Sequence, residues 1–237
     1  MGARKAGGTG RDAGSLTPSE LAKYIDHTLL KADATAADID RVAAEALRFG
    51  TASVCVNGCW VPRVAAALAG SGVAACAVIG FPLGAMSTAA KVAEARDVVA
   101  AGATEVDMVL NVGLLKAGSD DAARDDIAAV ARAVHEGGAL LKVILECCLL
   151  SDDEKVRACR AAVAAGGDFV KTSTGFSTGG ATVADVALMR ASVGDAARVK
   201  AAGGIRTLAD ARAMIDAGAD RLGVSAAVSI LEEAARA

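Results

Sequence analysis

Aromatic side chains are scarce in this chain of 237 residues: four Phe, one Tyr and one Trp amount to 3% of it, although 54% is hydrophobic. Any interior must therefore be filled by Ala, Val, Leu and Ile rather than by stacked rings, which suits helices packed against a parallel sheet. Histidine occurs only twice, and the six cysteines at 55, 59, 76, 147, 148 and 159 match no structural zinc spacing, so no metal is expected. Four of those cysteines sit in apolar runs, where a thiol behaves as a small hydrophobe, and disulfides are not expected. Lys and Arg never form a long run and the formal net charge is -3, which removes any global attraction to nucleic acid or to an anionic membrane. No stretch of membrane-spanning length is free of charge or glycine, and the N-terminus lacks the apolar core of a secretory signal. A cytoplasmic protein without nucleic-acid or membrane partners is the expectation, and any anionic ligand has to be held locally.

What is present is a repeating unit. Residues 1–14 are rich in Gly, Ala and Arg without apolar periodicity, and are read as a disordered leader outside the fold. From Ser15 onward, amphipathic stretches end at Gly50, Gly72, Gly102, Gly138, Gly167, Gly194 and Gly218, each a candidate left-handed helix terminus, with 22 to 36 residues from one to the next. A short β-branched run follows each: Ser53 to Asn57, Ala75 to Phe81, Glu105 to Asn111, Leu141 to Cys147, Phe169 to Thr174, Arg198 to Ala202 and Arg221 to Ser225. Tyr24 to Thr28 supplies a first strand, and eight βα units predict an α/β chain folded as a single-domain (β/α)8 TIM barrel over residues 15–237. Helix starts agree with this count. Thr35 with Asp38, Ser151 with Glu154 and Thr207 with Asp210 form capping boxes, and Ile39, Val42, Ala43, Ala46 and Leu47 recur at helical spacing. An open dinucleotide-binding sheet is the rival, but no G-x-G-x-x-G follows the first strand.

Barrel active sites gather at the C-terminal ends of the strands, so ionisable residues within apolar strands are the candidates. Alternation puts Asp107, Val109 and Asn111 on one face of the fourth strand and Val106, Met108 and Leu110 on the other. The fifth strand carries Lys142 and Glu146 on one face, the sixth Lys171 and the seventh Lys200. Buried lysines must be paired or lose their protons, and two cations on adjacent strands each ease the other's deprotonation. A neutral amine can attack a carbonyl carbon to form an iminium; the alternative is an internal ion-pair network without chemistry. A phosphate site is the second signal. Gly203 and Gly204 close the seventh strand, Gly175, Gly179 and Gly180 follow the sixth, and Ser225 leads from the eighth strand into an Ala-rich helix. Ser225 either caps that helix or donates to a phosphate oxygen, and Arg206 is either a phosphate ligand or a solvated helix-start residue.

These residues resemble the deoxyribose-phosphate aldolases from about Tyr24 to Ser225. The resemblance is carried by Tyr24-Ile-Asp-His-Thr-Leu-Leu-Lys31, Ser53-Val-Cys-Val-Asn57, Val78-Ile-Gly-Phe-Pro-Leu-Gly84, Glu105-Val-Asp107, Phe169-Val-Lys-Thr-Ser-Thr-Gly175 and Val199-Lys-Ala-Ala-Gly-Gly-Ile-Arg206, in that order. It implies a class I aldolase without cofactor or metal, in which Lys171 forms the Schiff base, Lys200 favours its uncharged form and Asp107 relays protons. It implies further that Thr28 and Thr174 hold water or a substrate hydroxyl, and that Gly175, Gly203, Gly204, Arg206 and Ser225 surround the phosphate. The implied partners are small molecules: 2-deoxyribose 5-phosphate, acetaldehyde and glyceraldehyde 3-phosphate. A homodimer is the expected assembly.

The chain departs from the family's pattern at three places. Phe176 stands where some relatives carry a basic residue toward the phosphate, Ala226 stands where some carry a second serine, and the chain ends at Ala237 without the C-terminal tyrosine of some relatives. Another phosphosugar-processing barrel enzyme, and a non-catalytic barrel that binds sugar phosphates, are the alternative functions.

Overall fold

The computed structural model describes residues 13–237. Eight parallel strands close into one barrel in sequence order: β1 (Ile25–Leu29), β2 (Ser53–Asn57), β3 (Ala74–Ile79), β4 (Glu105–Val109), β5 (Leu140–Ile144), β6 (Phe169–Lys171), β7 (Arg198–Ala202) and β8 (Arg221–Val224). Closure is made by β1 on β8, where Ile25 pairs Leu222 and His27 pairs Val224. Among the described residues ten α-helices surround or flank it: α1 (Pro18–Ala22), α2 (Ala36–Phe49), α3 (Val61–Leu68), α4 (Thr88–Ala100), α5 (Val112–Lys116), α6 (Asp120–Glu136), α7 (Asp152–Ala164), α8 (Val183–Val193), α9 (Leu208–Asp216) and α10 (Ala227–Ala234). The expected TIM barrel is the fold.

The elements begin and end where local chemistry dictates. Thr35, Ser151 and Thr207 each form the anticipated capping box, satisfying backbone donors that the first helical turn leaves orphaned. Thr17 with Glu20 forms a fourth at α1. Six of the seven expected glycines have positive φ; at the end of α7 the left-handed residue is Gly166 (φ 88), not Gly167, because the helix stops one residue earlier. Along α2 the stripe of Ile39, Val42, Ala43 and Ala46 is buried against the sheet, whereas Leu47, at the stripe's edge, is 42% exposed. Each fully buried Val, Leu or Ile stabilises the fold by roughly 1.5–3 kcal/mol, and aliphatic residues of this kind fill the space between sheet and helices.

The leader expected over residues 1–14 lies mostly outside the described residues. Ala13 and Gly14 do not belong to it: they form a single 3-10 turn with Ser15, Ala13 is buried, and its N–H donates to Asp216 Oδ1 at the end of α9 at 3.0 Å. Among the described residues, no helix is long and apolar enough to cross a membrane.

Candidate active site

Inside the barrel the alternation of β4 does what the sequence predicts: Asp107 points inward and is fully buried. Its two oxygens are shared among three lysines from three strands. Lys142 Nζ on β5 lies 2.8 Å from Oδ1, while Lys171 Nζ on β6 and Lys200 Nζ on β7 lie 2.7 and 2.8 Å from Oδ2. Lys171 and Lys200 are register partners, which is why one oxygen can hold both. The two cations expected to confront each other directly are therefore separated by a carboxylate, as the penalty on unpaired buried charge requires.

The network continues toward the N-terminal end of the strands. Lys200 Nζ is 2.5 Å from Asp26 Oδ2, an ionic contact whose angle does not make a hydrogen bond and which leaves that oxygen without any other bond. Asp26 Oδ1 accepts from Ser53 Oγ and from Arg221 Nη1, each at 2.6 Å. Glu105 Oε2 lies 2.7 Å from Lys142 Nζ and 3.1 Å from Arg221 Nη1. Burial alone would push the Asp107 and Asp26 carboxyls up, but the surrounding Lys and Arg cations outweigh it and hold both below the ordinary carboxylate range. Burial likewise pulls Lys142 and Lys200 down; Asp107, with Asp26 and for Lys142 also Glu105, reverses this and raises both. These two amines stay charged.

Lys142 and Glu146, expected together on one face of β5, part company. The strand ends at Ile144, and Glu146 adopts a left-handed backbone (φ 58) that turns its carboxylate to Thr174, whose Oγ1 and N–H both donate to it. A positive φ at a non-glycine residue marks a position held by its surroundings, here by that pair of bonds.

Above Lys171 opens a cavity of ≈ 280 Å³. Lys171 is part of its lining; Lys142, Lys200, Asp107 and Asp26 are not. Thr28, Thr174, Gly175, Gly203, Gly204, Arg206 and Ser225, the residues predicted from the sequence, all line it. The hydroxyl protons of both threonines are already given away, Thr28 to Asp26 O at 2.8 Å and Thr174 to Glu146, so each presents only lone pairs to a ligand. Ser225 does not cap α10: the cap position falls on Ala226, which offers no side-chain acceptor, and the Ser225 hydroxyl stands exposed at the helix entrance. Gly179 and Gly180 are not in the lining. A Cβ on Gly180 would sit 2.3 Å from Gly203 O, so glycine there lets the loop after β6 touch the end of β7.

Sequence reasoning missed Lys31, an exposed cation in the same lining that, with Arg206, faces the cavity where Phe176 contributes an apolar edge packed on Phe81 with ring centroids 5.2 Å apart. It also missed Asp26, Glu105 and Arg221. Alternation with Thr28 along β1 was the available signal for Asp26. Cys55 Sγ, Cys76 Sγ and an Asp107 oxygen lie within 4.8 Å of one another, a grouping invisible to spacing rules because three strands supply it. Three ammonium groups already hold Asp107, so a metal cation there would meet their repulsion.

A DeoC/LacD family aldolase model matches residues 20–232. The chain belongs to the DeoC/LacD aldolase family. Relatives of this DeoC/LacD member include a deoxyribose-phosphate aldolase of Brevibacillus brevis, 60% identical over 209 residues that span 88% of this chain and 94% of the relative. The Micrococcus luteus deoxyribose-phosphate aldolase is 58% identical over 223 residues, spanning 92% and 97%. Among solved structures, the deoxyribose phosphate aldolase of Aeropyrum pernix, described as a tetramer, superposes with a TM-score of 0.87 at 35% identity, covering 94% of this chain and 97% of that one.

Proposed function

We propose that this DeoC/LacD aldolase is a class I enzyme that reversibly cleaves 2-deoxy-D-ribose 5-phosphate to acetaldehyde and D-glyceraldehyde 3-phosphate, with Lys171 as the Schiff-base lysine. One observation carries the choice of lysine: of the three amines on Asp107, only Lys171 also borders the cavity. It is also the least committed. Lys142 has carboxylates at 2.7, 2.8 and 3.9 Å and Lys200 at 2.5 and 2.8 Å, whereas Lys171 has, among the described residues, Asp107 alone at 2.7 Å.

The uncharged Lys171 amine attacks C1 of the open-chain aldehyde, and loss of water from the carbinolamine leaves a protonated imine. A base takes the proton of the C3 hydroxyl, the C2–C3 bond breaks, and its electron pair moves into the iminium to give an enamine. Glyceraldehyde 3-phosphate departs, the enamine carbon takes up a proton, and water releases acetaldehyde. Asp107 faces the nitrogen throughout, so the positive charge that forms on the iminium develops against a carboxylate already in place. Held ionised by its three cations, Asp107 works by passing protons between nitrogen and water rather than by keeping one. Thr28 and Thr174, as acceptors, orient substrate hydroxyls or water. The phosphate lies against Gly175, Gly203, Gly204 and Ser225, with Arg206 and Lys31 supplying the charge that Phe176 lacks. No metal or cofactor takes part in this scheme, the enzyme acts in the cytoplasm, and a homodimer is its expected assembly.

The test is reductive trapping with acetaldehyde and cyanoborohydride followed by peptide mapping, beside an assay of deoxyribose 5-phosphate cleavage. The expected result is a single adduct on Lys171 and measurable cleavage. Phosphosugar conversion without any adduct would make the chain another kind of phosphosugar enzyme, and sugar-phosphate binding without turnover would make it a non-catalytic barrel.

A further inference from the structure

The inward-facing charged groups around Lys171 come from seven elements: Asp26 on β1, Cys55 on β2, Cys76 on β3, Glu105 and Asp107 on β4, Lys142 on β5, Lys200 on β7 and Arg221 on β8. The Cys76 thiol is pushed up by burial and stays neutral. Apart from the two thiols, the groups form a continuous set joined by contacts between 2.5 and 3.9 Å, in which the four bases Lys142, Lys171, Lys200 and Arg221 face the three carboxylates Asp26, Glu105 and Asp107; Arg198, stacked on the Phe169 ring, makes no ion pair with them among the described residues. One cation is in excess. An uncompensated charge in a barrel interior is costly, and releasing one proton removes the excess. Arg221 cannot release it, and Lys142 and Lys200 are held by at least two carboxylates each.

We propose that Lys142 and Glu105, which reach neither the cavity nor the substrate, set the charge state of Lys171: as positioning residues of opposite sign they determine that the interior holds one base more than it has acids, so that the amine bordering the cavity is the one left uncharged. This rests on the Schiff-base reading of Lys171. It also gives the intermediates an electrical reason. The neutral carbinolamine and the enamine are the balanced states of this interior, while the ammonium and the iminium carry the same single excess charge.

The sign of each perturbation follows. Removing an anion increases the excess and makes Lys171 release its proton at lower pH; removing a cation abolishes the excess and makes Lys171 keep its proton to higher pH. The experiment follows the rate of acetaldehyde trapping on Lys171 against pH in the full-length protein, reading the midpoint of its rise. Glu105→Gln is expected to move the midpoint down and Lys142→Met to move it up, each on the order of one to two pH units for a nearby charge at an effective dielectric of about 20. The double variant restores the count and is expected to return the midpoint to that of the wild type. A purely structural role would not produce shifts of opposite sign that cancel.

Should Lys142→Met not fold, Arg221→Gln removes one cation from the same set and is expected to give the same upward move. The Cys55 thiol, drawn below its ordinary value first by its hydrogen bond with Cys76, is the one other group able to add an anion. The same shifts are therefore expected in a Cys55→Ala background. Midpoints that stay put, or that move in one direction for both single variants, overturn the charge-balance proposal while leaving the adduct on Lys171 in place. Absence of any adduct in the wild type overturns the Schiff-base reading itself.

Discussion

Two groups of fully buried lysine make opposite use of the same interaction. On the outside of the barrel, Lys91 of α4 is wholly enclosed with its Nζ 2.6 Å from Asp126 Oδ2 of α6 and 3.0 Å from Val109 O, and Asp126 Oδ1 takes a further bond from Thr88 Oγ1 at 2.7 Å. One cation meets one anion, and neither Lys91 nor Asp126 lines the cavity above Lys171. Inside the barrel, four bases share three carboxylates and one of the bases borders a cavity of ≈ 280 Å³. The closed pair ties α4 and α6 to the end of β4. The open set carries an unresolved charge to a surface that a ligand can reach. Burial of a lysine is thus no sign of chemistry by itself; the count of partners and the presence of space beside it are.

The sharpest way to break this contrast is to delete one lysine from each group. Lys171→Ala is expected to lower deoxyribose 5-phosphate cleavage on the order of 10⁴-fold or more with the melting temperature nearly kept, since the alanine removes the nucleophile and the excess charge together. Cleavage within tenfold of wild type would show that another amine does the work. Lys91→Met should do the reverse, costing about 3–5 kcal/mol in a urea titration because Asp126 is left buried without its cation, while turnover per folded molecule and the pH profile of trapping stay as they were. A moved pH profile would mean that the outer pair is electrically part of the site. The smallest effect is expected at the rim. Arg206→Ala should raise KM for the phosphorylated substrate roughly tenfold to a hundredfold, in line with about 1.5–3 kcal/mol for a hydrogen bond to a charged group, and leave kcat for an unphosphorylated aldehyde unchanged. Equal losses on both substrates would assign Arg206 to the loop's structure instead.

Much of this was legible in the chain because local signals and global topology agree. β-branched runs after helix-ending glycines mark seven of the eight strands, and three capping boxes mark helix starts to the residue. Period-two alternation on β4 was enough to send Asp107 inward. What stayed hidden depends on closure and on strand ends. Arg221 reaches Asp26 across 195 positions of sequence only because β8 returns to β1, and no local pattern encodes that contact. Glu146 was grouped with Lys142 because alternation was carried two residues beyond Ile144, where the strand stops and the backbone turns. Lys31 was missed because it lies past the end of β1 on a loop, where periodicity has nothing to say.

The contact between Gly180 and Gly203 sets a limit on how this site can be altered. Ala181 N–H donates to Ala202 O at 3.1 Å and to Gly203 O at 3.0 Å, so the chain following β6 is stitched, main chain to main chain, to the chain leaving β7. Neither of these two walls can swing outward without undoing the other. Room for a bulkier or differently charged substrate has to be carved from side chains such as Phe176 and Leu30, since the frame around the ligand behaves as a rivet rather than a hinge.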